Sequence, residues 1–91
     1  MTCTETIHQI LTNTFQPLLL EIRDDSHLHA GHNPEAAKGE THFHITIVSA
    51  AFDELNLIKQ HRAINSALAD LMDNPIHALA LKTIKASKWQ A

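Results

Sequence analysis

The run Thr41-His42-Phe43-His44-Ile45-Thr46-Ile47-Val48-Ser49 constrains this chain more than any other. Side chains along a strand point alternately to two faces, so Phe43, Ile45 and Ile47 share one face and His42, His44 and Thr46 the other. A helix would scatter the same apolar residues around its circumference. A strand that is apolar on one side needs neighbouring strands at its edges and helices laid across its apolar face.

The rest of the chain supplies both. Ile7, Ile10, Leu11 and Phe15 recur at helical spacing, with Thr4 or Thr6 as a cap and Pro17 as the stop. From Leu18 to Asp24 the pattern alternates, with Leu18, Leu20 and Ile22 against Leu19, Glu21 and Arg23, which predicts a half-buried strand. Asp25 to Glu40 holds Gly31, Gly39 and Pro34 and shows no periodicity, so it reads as a loop. Loops that long in small domains are often functional. Two strands joined in this way are expected to be antiparallel neighbours.

Phe52 to Leu55 predicts a short turn of helix. Asn56 then caps a longer helix with Ile58, His61, Ile64, Leu68, Leu71 and Met72 on one stripe, ended by Asp73-Asn74-Pro75. Ile76 to Ile84 reads as a third strand. A helical crossover leads to it, so it can pair parallel to a neighbour. Ser87-Lys88-Trp89 is expected to form a terminal turn. The fold class is therefore α+β, in the order α-β-β-α-α-β, a three-stranded sheet with helices packed on one face. With 91 residues and 44% apolar content, the expectation is a single domain over 1–91.

Cys3 is the only cysteine, which leaves no internal disulfide and no cysteine-based zinc site. No apolar run is long enough to cross a membrane and no leader pattern is visible, so a cytoplasmic protein without membrane contact is expected. The formal charge of -3 is unevenly spread. Residues 1–55 are acidic, whereas residues 56–91 carry Lys59, Arg62, Lys82, Lys85 and Lys88 against Asp70 and Asp73. Lys59, Arg62, Lys82 and Lys85 are the candidates for contact with nucleic acid. There is no G-x-S-x-G, no P-loop and no G-x-G-x-x-G, and nothing in the sequence demands an enzyme or a small-molecule substrate.

Eight histidines in so short a chain are the unusual feature. Histidine is the commonest metal ligand and titrates near neutral pH. His27, His29 and His32 stand close together in the long loop, without the spacing of a structural zinc site. His42 and His44 share the polar face of a strand, where they serve either as paired ligands or as the wet side of the sheet. His61 falls on the apolar stripe of the longer helix, where packing with a hydrogen-bond partner is expected. His77 follows Asn74-Pro75 and opens the third strand.

Taken in order, Arg23-Asp24-Asp25-Ser26-His27-Leu28-His29-Ala30-Gly31-His32, Glu40-Thr41-His42-Phe43, Val48-Ser49 with Phe52, Gln60-His61-Arg62, Pro75-Ile76-His77-Ala78-Leu79 and Trp89 resemble the BolA-like family. The resemblance runs from about residue 5 to residue 89. It implies a fold similar to the class II KH domain. It also implies partnership with a monothiol glutaredoxin, with a [2Fe-2S] cluster shared between the two proteins and glutathione, and none held by the isolated chain. Carried over residue by residue, the ligand from the Pro-x-His segment is His77. The loop ligand is His29, three residues after Ser26, with His27 and His32 as alternatives. Such a protein would act in iron-sulfur trafficking or in iron or redox sensing.

The family also includes proteins described as transcriptional regulators linked to stress response, which makes DNA a competing partner. Against it, the G-x-x-G loop of nucleic-acid-binding KH domains is missing and the net charge is negative. A third expectation is a stand-alone histidine-rich metal-binding module centred on residues 27–32.

Overall fold

A computed structural model describes residues 3–25, 42–72, 76 and 78–89. Helix α1 spans Cys3–Phe15, strand β1 Leu19–Asp24, strand β2 His42–Ser49, helix α2 Leu57–Ala67 and strand β3 Ala78–Lys85. Single 3-10 turns occupy Ala50–Phe52, Ala69–Leu71 and Ala86–Lys88. The sheet order is β1-β2-β3. β1 pairs antiparallel with β2, from Leu19 opposite Val48 to Asp24 opposite Phe43. β3 pairs parallel with β2, from His42 opposite Ala78 to Ser49 opposite Lys85. The α+β architecture is the one the sequence predicts, and the structure adds the strand order.

The core lies on one side of the sheet. Ile7 and Leu11 of α1, Phe43, Ile45 and Ile47 of β2, Phe52, Ile64, Leu68 and Ile76 form one buried cluster. Leu20, Ile22, Leu79 and Leu81 close it from the two outer strands. On the opposite face Val48 is also buried, with Leu19 and Ile84 in register beside it.

Several boundaries differ from the sequence expectation. α1 already includes Thr4 and Thr6, so neither is its cap, and Cys3 is buried in its first turn. At its other end Gln16 adopts φ 48° while its N–H bonds Thr12 O at 3.0 Å. This left-handed residue crowds its Cβ against its own carbonyl, a conflict glycine lacks. Gln16→Gly is expected to raise unfolding free energy by roughly 0.5–1 kcal/mol. Urea denaturation checks this, and a lowered midpoint at equal slope would contradict it.

The turn expected at Phe52–Leu55 is closed by Leu55 N–H to Phe52 O at 3.0 Å, and a 3-10 turn at Ala50–Phe52, organised by Ser49, precedes it. The buried Ser49 hydroxyl donates to Phe15 O at 2.7 Å and accepts from Ala51 N–H at 3.0 Å, tying the end of β2 to the end of α1. Asn56 caps α2 as expected, its side chain accepting from Lys59 N–H at 2.9 Å.

α2 is shorter than its apolar stripe. It stops at Ala67, and the chain tightens into i→i+3 bonds, Leu71 N–H to Leu68 O and Met72 N–H to Ala69 O. The stripe itself is rotated. Ile58 is 64% exposed, whereas Gln60 is buried. Gln60 is tolerated because both ends of its amide are bonded: Nε2 donates to Leu55 O at 2.7 Å, and Oε1 accepts from Thr83 Oγ1 at 2.6 Å.

Candidate functional site

The face of the sheet turned away from the helices reads as rows of residues in register. At one end Asp25, His42 and Ala78 stand side by side, with Asp25 N–H bonded to His42 O at 2.7 Å. The next row is Arg23, His44 and Ala80, followed by Glu21, Thr46 and Lys82. Period two along β2 puts His42 and His44 on this face, both half-buried. Ala78 and Ala80, small and exposed, leave room beside them. A cleft of ≈ 160 Å³ opens there, lined by Asp25, His42, Phe43, Ala78, Leu79 and Ala80.

One edge of this end is charged. Arg23 holds Asp25 in a two-point contact, Nε to Oδ1 at 2.7 Å and Nη2 to Oδ2 at 3.1 Å. The hydrogen bonds to Asp25, and then its charge, raise the Arg23 guanidinium above its ordinary pKa. The Arg23 side chain is 67% exposed, so the pair is screened by solvent and adds little to stability.

His27, His29, His32 and His77 lie outside the described residues. What the structure places is the chain on either side of them. Asp25 leads into the 26–41 connection and His42 leads out of it, and both line the cleft. Ala78, covalently next to residue 77, lines it too. The sequence puts His42 and His44 on the polar face but does not connect them with Ala78 and Ala80. That connection needs the order of the strands, which no local pattern carries.

The basic residues are not brought to one place. Lys59 and Arg62 are exposed on α2, in the helical layer. Lys82 stands on the opposite, open face in register with Thr46, and the half-buried Lys85 has the other parity on β3. His61 borders the core, and its shielded Nε2 has no hydrogen-bond partner among the described residues, unlike the partnered ring expected from the sequence. Among the described residues no three His, Cys, Asp or Glu side chains converge to hold a metal ion. No described helix is long and apolar enough to cross a membrane.

Comparison with known proteins is consistent across sequence and structure. A family model described as BolA-like protein matches residues 11–88. An uncharacterized protein from the cobS 5' region of a Sinorhizobium species is 42% identical over 83 residues, covering 90% of this chain and 89% of that protein. The DNA-binding transcriptional regulator BolA of Vibrio cholerae is 37% identical over 86 residues, covering 94% of this chain and 77% of the regulator. Among solved structures, the BolA domain of SufE1 from Arabidopsis thaliana superposes with a TM-score of 0.83 at 36% identity, covering 93% of each chain.

Proposed function

The chain belongs to the BolA-like family, and from that premise we propose that it is an adaptor, not a catalyst, that partners a monothiol glutaredoxin and shares a [2Fe-2S] cluster with it and with glutathione. His77, the residue before Ala78 in the Pro-x-His segment, is one proposed ligand. His29 is the proposed ligand from the 26–41 connection, with His27 and His32 as its alternatives.

One observation carries this reading. Both ends of the histidine-rich connection and the residue next to His77 line a single cleft at one end of the sheet. Ligands far apart in sequence therefore have their anchors in one place. The donor chemistry fits as well, since imidazole replaces thiolate on one iron of known [2Fe-2S] centres.

When bound, a cluster with imidazole in place of thiolate carries less negative charge and a higher reduction potential. For the chain's own residues the consequence is a proton: His77 and His29 bind iron only as neutral rings, so protonation opposes ligation. The sheet supplies rigid anchorage through Asp25, His42 and Ala78, and the exposed alanines leave the cleft open to a partner.

The test is to mix the purified protein with a monothiol glutaredoxin carrying a reconstituted [2Fe-2S] cluster, recording visible absorption and circular dichroism. The expected result is a new spectrum with wild type that is lost or shifted in His77→Ala and in His29→Ala. A mixed-complex spectrum unchanged by His77→Ala would overturn the ligand assignment.

A second reading follows from the relatives described as DNA-binding transcriptional regulators, including those of Vibrio cholerae and Escherichia coli. It places Lys59 and Arg62 on the exposed side of α2 against phosphate, with Lys82 and Lys85 on β3. If the chain and the glutaredoxin form no complex, this reading takes precedence.

A further inference from the structure

We infer that the outer edge of β1 is a docking edge for a second copy of this chain, paired antiparallel about a two-fold axis at Ile22. Among the described residues β1 has a strand neighbour on one side only, β2. In antiparallel pairs, residues alternate between those whose backbone groups face the partner strand and those whose groups face away. The bond from Asp25 N–H to His42 O assigns Asp25 to the first kind, and with it Arg23, Glu21 and Leu19. The N–H and C=O of Leu20 and Ile22 therefore point away from the sheet, toward the free edge.

The side chains match that parity. With the axis at Ile22, the two Ile22 residues bond each other through their backbones, and Leu20 stands opposite the partner's Asp24. Glu21 then falls opposite the partner's Arg23, twice by symmetry. These are non-hydrogen-bonded positions, where facing side chains approach most closely. Both residues are exposed on the open face. The Glu21 side chain forms no hydrogen bond or ion pair with any described residue. Arg23 commits Nε and Nη2 to Asp25 and keeps its other terminal nitrogen for a second carboxylate.

The opposite edge behaves differently. β3 carries Lys82 and Lys85 and no acid, so two copies meeting there would repel. The sequence Glu21-Ile22-Arg23 is thus self-complementary in an isologous contact, in which one patch serves both subunits. The pairing would join two three-stranded sheets into one continuous sheet. An interface of a single strand pair is small, so a weak and reversible dimer is expected.

The experiment uses the full chain without iron or glutaredoxin, under reducing conditions with a chelator, so its outcome is independent of the cluster reading. Sedimentation velocity across a concentration series is combined with amide hydrogen exchange. The expected result is a reversible dimer whose dissociation constant rises at least tenfold in Glu21→Arg. It should return toward wild type in the double variant Glu21→Arg with Arg23→Glu. The amides of Leu20 and Ile22 should gain protection as the dimer fills. A chain that stays monomeric at every concentration, or a dimer indifferent to these changes, overturns the inference.

Discussion

Phe52→Ala is expected to lower the unfolding free energy by about 3–5 kcal/mol, the range for truncating a buried aromatic residue. Phe52 is fully buried at the centre of the core cluster. Its ring meets Phe15 with centroids 5.3 Å apart and planes tilted by 42°, an arrangement that adds to simple burial. The site has little freedom to collapse. Phe52 ends a 3-10 turn whose start is fixed by Ser49, and the same Ser49 hydroxyl holds the carbonyl of Phe15. A domain of this size is stable by roughly 5–15 kcal/mol, so the variant should be left marginal. Urea unfolding at constant slope measures the loss, with Leu57→Ala as a surface control, since Leu57 is 60% exposed. A loss below about 1 kcal/mol for Phe52→Ala would place the centre of the core elsewhere.

The second large effect concerns the polar contact between α2 and β3. Gln60→Leu keeps the volume but removes both hydrogen bonds, leaving Leu55 O and Thr83 Oγ1 without their partner. Unmet groups of that kind cost about 1–3 kcal/mol each, so a loss of about 2–4 kcal/mol is expected. Thr83→Val removes the other half of one bond and should cost about 1–2 kcal/mol. The double variant should lose less than the two single losses combined, because the Thr83 hydroxyl that Gln60→Leu strands is then gone. Additivity within about 0.5 kcal/mol would show that the bond between Gln60 and Thr83 contributes nothing of its own.

Gln60 also shows where sequence reading stops. Its burial depends on Thr83, which lies on another element, so no window along α2 could select it over Ile58. β2 was legible because alternation is a strictly local signal: Phe43, Ile45 and Ile47 proved buried as their spacing required, whereas Leu18, expected on the buried face of the first strand, lies outside β1 and is 60% exposed. The end of α2 was not legible, because Leu68 and Leu71 continue the helical stripe whether the turns are α or 3-10. The candidate site divides in the same way. Its histidines stand out in the sequence by number and spacing. The cleft that His42 shares with Ala78 and Ala80 depends on β3 lying beside β2, and that is a property of the assembled sheet.

That pairing has a consequence for how the site comes into being. In a parallel ladder every partner is equally distant along the chain, so each pair from His42 with Ala78 to Ser49 with Lys85 closes the same long span. No pair can form early as a local foothold, as the inner pairs of an antiparallel ladder can. A chain that has made only the β1–β2 ladder possesses His42 and Asp25 but not the wall opposite them. Of the two ladders this one closes the longer span, so a partner that requires the cleft can recognise only molecules in which β3 has joined the sheet.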